Sequence, residues 1–234
     1  MDNYKIRLII LLLVMTNVLN SCGSAKVMSV WKAEPNVVEN FKAKKVLVIA
    51  RTSDNQARVA FENAITDALE SRGINATSSF TKLPNIHAET EVSQERVDFV
   101  KEIMGYEGYT GVVLTVVKDK EKTTTTSSSG AYVGAGYGGY YPSYYGGFYD
   151  YFAYPYAYGP YYNSFGGYVP ISSSTYTSTD YVLETVAYNL EAEDKNAQLV
   201  AVVTTQLNDP KEAHKAADEY VKEIMESLEK AKNQ

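Results

Sequence analysis

The chain has 234 residues, with 22 Lys and Arg against 28 Asp and Glu, a formal charge of −6, and 45% hydrophobic residues. That length suits one or two small domains, and the acidic balance excludes the basic face that nucleic acid or an anionic lipid surface demands. One Cys excludes a disulfide framework, and two His leave little for metal or triad chemistry.

Lys5 and Arg7 precede an apolar run over residues 8–15. Eight such residues suit the hydrophobic region of an export signal and fall short of the ~20 that cross a bilayer. The chain continues Leu19-Asn20-Ser21-Cys22, which resembles the lipobox of bacterial lipoproteins, where a Leu, a variable residue and a small residue precede an obligatory Cys. Asn20 is the one departure, since Ala or Thr is usual there. The resemblance implies that residues 1–21 are a signal peptide and that Cys22 is the lipidation site. The resemblance also implies more than one acyl chain on it, palmitate among them, and a single chain would bind a membrane only marginally. Gly23 stands where an Asp would signal inner-membrane retention, so the resemblance implies a cell-envelope protein anchored in the outer membrane. The only Cys falls at this position, so the folded domain would keep no thiol. Cleavage leaves 20 basic against 27 acidic residues.

Residues 22–42 read as the lipidated N-terminus and a tether, with Trp31, the only Trp, as a hydrophobic plug against the first strand. Residues 43–234 then read as one domain. Residues 45–50, Lys-Val-Leu-Val-Ile-Ala, form a continuous apolar run, as a strand buried on both faces does. Ser53 and Gln56 make a capping-box pair ahead of Ala57, Ala60, Phe61, Ala64, Ile65, Ala68 and Leu69 at helical spacing, closed by Gly73. Residues 74–80 predict a second strand. A second helix starts at Ser93, stapled by Val92 and Val97, and ends near Gly105. Residues 111–117 are another buried run. Residues 175–190 and 198–206 read as β-rich segments around the polar stretch 191–196. Asp209 as N-cap, Pro210 at the first position and Glu212 at the third predict a last helix with an apolar stripe from Ala213 to Leu228. The pattern β-α-β-α-β-β-β-α predicts a single α/β domain with a mixed sheet.

That pattern is interrupted by a Tyr/Gly-rich, low-complexity insert at about residues 122–172. Sixteen of the 21 Tyr lie between Tyr132 and Tyr181, ten of the 15 Gly between Thr123 and Thr179, and in the latter stretch Asp150 is the only charge. Few aliphatic residues, many Gly, and Pro142, Pro155, Pro160 and Pro170 predict a loop with no fixed structure. The other reading is a contact surface, because Tyr offers amphipathic area at low rotamer cost and Gly and Ser let the backbone adapt. Such a surface would meet an envelope protein or a glycan, or associate with itself.

The runs at 45–50, 58–65 (Arg-Val-Ala-Phe-Glu-Asn-Ala-Ile) and 73–80 (Gly-Ile-Asn-Ala-Thr-Ser-Ser-Phe), with the strand before the insert and the late β-hairpin, resemble a family of small bacterial lipoproteins. Its fold is similar to the N-terminal domain of the Tol-system translocation protein and to the curli-secretion lipoprotein. The outer-membrane activators of penicillin-binding proteins are similar as well. The resemblance runs from about Ala43 to the C-terminus without the insert. It implies an α/β fold that acts by binding or assembly, and it brings no catalytic residues. The Trp late in that family's penultimate strand is replaced here by Leu199-Val200-Ala201-Val202.

Gly134-Ala135-Gly136-Tyr137-Gly138-Gly139 spells G-x-G-x-x-G, yet no helix-forming run follows it as a dinucleotide site requires. His87 and His214 are far apart and read as surface residues. The acidic groups Glu89 with Glu91, and Glu191 with Glu193 and Asp194, sit in polar loops where no burial raises a carboxyl pKa. Asn75-Ala76-Thr77 matches a glycosylation sequon on a predicted strand. No catalytic, cofactor or metal site is expected, and no nucleic acid partner. The sequence points to a non-enzymatic, lipid-anchored envelope protein that binds or assembles through its Tyr/Gly-rich loop. An oligomeric outer-membrane secretion or assembly subunit is the first alternative and an envelope hydrolase the second.

Overall fold

A computed structural model describes residues 24–85, 91–123, 127–132, 145–155, 168–174 and 178–231. Each of the five strands and three helices expected from the sequence is present within a mixed α/β fold. The strands are β2 (Lys45–Arg51), β3 (Asn75–Ser78), β4 (Gly111–Thr123), β7 (Ser178–Asn189) and β8 (Leu199–Asn208). The helices are α2 (Asn55–Glu70), α3 (Gln94–Glu107) and α5 (Ala213–Lys230).

The stretch read as a tether is instead part of the fold. Residues 25–32 form β1 (Ala25–Lys32), antiparallel to β8, and α1 (Pro35–Lys42) follows. Lys26, Ser29 and Lys32 break up the apolar residues of β1 and mimic a tether, as charges on edge strands do. The sheet order is β1-β8-β7-β4-β2-β3. β2 is parallel to β3 and β4, and the remaining neighbours are antiparallel.

Alternation of side chains across the pleat divides the core in two. On one face Leu47, Ile49, Val112, Leu114, Val186 and Val202 meet α3 and the insert, with Trp31 buried among them. On the other, Val46, Val48, Val113 and Val203 meet α2, α5 and α1. Gly111 lies where α1 crosses the start of β4, and a Cβ there would stand 3.0 Å from Phe41 Cε2 and 3.1 Å from Lys44 Cβ.

Several boundaries differ from the sequence reading for local reasons. Asp54 caps α2, accepting from Gln56 N at 2.8 Å and Ala57 N at 3.2 Å, one residue beyond Ser53. The second strand stops at Ser78 because Ser79 Oγ and Phe80 N turn to the carboxylate of Glu62, at 2.8 and 2.7 Å. Glu62 has no exposure and also accepts from Ala50 N and Arg58 Nε, both at 3.0 Å. This one side chain thereby ties β2, α2 and the 3-10 turn together, and its hydrogen bonds offset the cost of burying its charge. α3 continues past Gly105 to Gly108, whose φ of +72° ends it in the left-handed region. α5 begins at Ala213 and not after Asp209. Asp209 donates its N–H to Thr179 O at 3.1 Å and accepts from Thr179 N at 3.3 Å, so β7 holds the residue away from the cap.

The larger correction concerns the insert. Residues 127–132 and 168–174 pair as a two-stranded ribbon, β5 (Ser127–Tyr132) with β6 (Tyr168–Ser174). Between them in sequence, α4 (Phe148–Ala153) is part of the core. Tyr145, Phe148, Tyr151 and Phe152 are fully buried, each ring replacing water with protein for roughly 1.5–3 kcal/mol. Phe148 stacks at 5.5 Å from Phe152 and 5.9 Å from Tyr188. Eleven insert residues therefore serve as a layer of the fold and not as a free loop.

Candidate functional site

The register places four chain segments at one end of the sheet. Thr123 pairs with Ser178, Asp180 with Asn208, and Leu207 with Ala25. At this end the described chain enters the fold, and here β4 ends and β7 begins on either side of the insert. Ser24 is fastened there by three bonds. Its N and Oγ donate to Glu219 Oε2 at 2.8 and 2.7 Å, and its carbonyl accepts from Asn208 N at 2.8 Å. The two Ser24 donors hold the Glu219 carboxyl below its ordinary pKa.

The same end carries a crevice of about 220 Å³ on the α2/α5 side. The parallel neighbours β2 and β4 end here, β2 leading into α2 and β4 into the insert, and strand ends whose connections part in this way are where open α/β sheets leave a cleft. Ala50 and Thr115 form its floor, Phe61 and Leu183 its apolar walls, and Asp54 and Lys211 its rim. The rim charges already serve the fold: Asp54 caps α2, and Lys211 pairs with Asp209 at 2.6 Å. The crevice thus offers shape and apolar walls more than reactive groups. Deeper in, Thr185 Oγ1 lies 2.6 Å from both Thr115 Oγ1 and Tyr220 Oη. Burial pushes the Tyr220 hydroxyl well above its usual pKa.

On the opposite face, at the same end, three buried charges lie under α4. Glu184 is 1% exposed, accepts from Tyr145 Oη at 2.8 Å and from Tyr151 Oη, and lies 3.5 Å from Lys118 Nζ. Lys118 Nζ donates to Pro155 O at 2.8 Å, and Arg51 donates to Phe152 O at 2.6 Å. Burial first, and then the negative charge of Glu184, raise the Tyr151 hydroxyl far above its usual range; Tyr188 is raised by the same causes. These tyrosines stay protonated and serve as donors. The network fastens the insert to the sheet, with every charge facing either an opposite charge or a hydrogen-bonding partner.

Of the residues singled out in the sequence, His214 is exposed in the first turn of α5. Glu191 pairs with Lys44, and Asp194 caps the turn after β7 by accepting from Asn196 N at 2.9 Å. Glu91 and Glu193 are exposed, as is Asn75 on β3. Cys22 and its lipobox, the 134–139 glycines, His87 and Glu89 lie outside the described residues. None of those within the described residues lines the crevice. Sequence reading missed Arg51, Lys118 and Glu184, although each interrupts or ends an apolar strand run, which is the signal a buried charge leaves. Among the described residues no helix is long and apolar enough to cross a membrane, and no group of three or more His, Cys, Asp and Glu is placed to hold a metal ion.

No family model matches the chain, and no curated protein matches it. Among solved structures it is similar to a DUF4136 family protein from Bacteroides thetaiotaomicron, at 13% identity and a TM-score of 0.40, over 88% of this chain and 97% of that one.

Proposed function

We propose that this chain is a non-enzymatic, lipid-anchored protein of the bacterial cell envelope, held in the outer membrane through Cys22, whose domain binds or assembles with a partner. The likeness to the Tol-translocation N-terminal domain and the curli-secretion lipoprotein belongs to this reading. The observation that carries it is the fastening of Ser24. Two residues separate Cys22 from a strand-end hydrogen bond, and extended chain covers only about 7 Å in that distance. A lipid on Cys22 therefore holds this end of the sheet, with its crevice, against the bilayer surface. The insert leaves the sheet from the same end, so a partner met there is itself an envelope component, a protein or a glycan. Because 145–155 is core, the partner contact falls to the insert residues outside it.

Two comparisons test the proposal. Cys22→Ser is expected to abolish palmitate labelling and to move the chain from the detergent phase to the aqueous phase. Replacing Tyr by Ser at 137, 140, 141, 144, 156, 158, 161 and 162, with 145–155 intact, is expected to remove crosslinked envelope partners without changing the melting temperature. A Cys22→Ser chain that stays membrane-bound defeats the anchor, and an unchanged partner set defeats the insert as the binding surface.

A further inference from the structure

At the opposite end of the sheet from Ser24, a second cavity of about 330 Å³ opens between α1 and the C-terminal halves of α2 and α5. Its walls are aliphatic and aromatic: Phe41 from α1, Leu69 from α2, Ile224 and Leu228 from α5. Its floor is the sheet, and there Ala187 and Ala201 stand directly opposite each other across β7 and β8. Two facing alanines remove the volume that larger side chains would fill, so the hollow is written into the sequence where β7 ends and β8 begins.

A space this large exceeds the voids that close-packed interiors leave. An apolar hollow does not hold water well and takes apolar guests, and its volume lies in the small-molecule range. Its mouth is different in character. Lys32, Lys42 and Arg72 line it against one carboxylate, Glu229, in a chain that is acidic as a whole. Lys32 Nζ donates to Leu228 O at 3.0 Å and Arg72 Nη1 to Ala68 O at 3.1 Å, so the same cations satisfy the carbonyl ends of α5 and α2, which would otherwise repel an anion. The pairs Lys42–Glu39 and Arg72–Glu229 are solvent-exposed, and such pairs exchange partners at little cost.

We propose that this cavity binds a free medium-chain fatty acid, the acyl chain lying between α2, α5 and the two alanines and the carboxylate at Lys32, Lys42 and Arg72. The site is remote from the anchor and does not depend on lipidation, so the two readings stand or fall separately.

The test is calorimetric titration of the full chain carrying Cys22→Ser, so that no acyl group of its own is present, with decanoate below its micelle concentration. One saturable site is expected. Ala201→Leu, which fills the hollow, is expected to weaken binding roughly tenfold or more, as steric loss of methylene contacts does. Lys42→Gln with Arg72→Gln is expected to weaken decanoate roughly threefold to tenfold, as loss of two exposed charge contacts does, and to leave decanol unchanged. Circular dichroism of each variant must match the parent. No saturable decanoate binding overturns the proposal, as does undiminished binding by a folded Ala201→Leu chain. Binding of a lysophospholipid in place of decanoate, or equal loss of decanol and decanoate in the charge variant, overturns the choice of a fatty acid.

Discussion

Phe152→Ala separates an insert that builds the fold from one that merely decorates it. The Phe152 ring is fully buried, 5.5 Å from the ring of Phe148 and 6.0 Å from the guanidinium of Arg51. The substitution keeps the backbone carbonyl that accepts from Arg51, so it removes packing and leaves the hydrogen bond. Truncating a core Phe to Ala costs about 3–5 kcal/mol, because the lost contacts and the residual cavity add. With a urea slope near 2 kcal/mol per molar, that lowers the unfolding midpoint by roughly 1.5–2.5 M. Trp31, the only Trp, is 8% exposed in the same core, and its fluorescence reports the transition. Tyr106→Ala is the control: another large aromatic ring, 89% exposed on α3, whose loss is expected to change stability by less than about 0.5 kcal/mol. If the two variants unfold at the same urea concentration, α4 is not packed as described and the insert is a loop after all.

The buried charges under α4 give a second prediction. Lys118→Met leaves Glu184 without its buried cation and is expected to cost about 3–5 kcal/mol, while adding Glu184→Gln restores part of it. A coupling below about 0.5 kcal/mol in that double-mutant cycle means the two side chains do not interact. The Ser24 fastening gives a third. Glu219 has a lowered folded pKa, so the stabilisation it lends is complete above the ordinary carboxyl pKa and is lost as pH falls from there through the lowered folded value. Protection of the Ser24 and Asn208 amides, taken relative to their intrinsic exchange rates at each pH, is expected to fall in that acid range, and Glu219→Gln to flatten the dependence. An identical pH profile in the variant removes Glu219 from the account.

The parts of this fold that sequence reading found are those governed by local rules. Apolar runs at 45–50 and 111–117 are buried on both faces, and the helix stripes face the core as their spacing implies. What was lost depends on partners distant in sequence. Nothing near Asp209 reveals that Thr179 will hold it off the helix cap. Nothing in residues 25–32 reveals that β8 will accept them as an edge strand. In the insert, Tyr and Gly content weighs against a core only until one notices that Phe148, Tyr151 and Phe152 recur at helical spacing with Tyr145 one turn earlier. That stripe was legible, but the flanking low complexity masked it. The buried charges of the candidate site follow the same division: Arg51 and Glu184 stand out in their strands, while their partners Phe152 and Tyr145 lie far along the chain.

The pairing of β1 with β8 sets an order on folding. The first strand of the domain has one neighbour in the sheet, and that neighbour is the last strand. Closing a loop that spans nearly the whole chain is entropically slow and gains nothing until the strands between have assembled. A chain that emerges amino terminus first, as every nascent chain does, must therefore leave residues 25–32 unpaired until residue 207 has followed. Throughout synthesis this strand stays without its sheet partner, and completion of β8 is the event that puts it away.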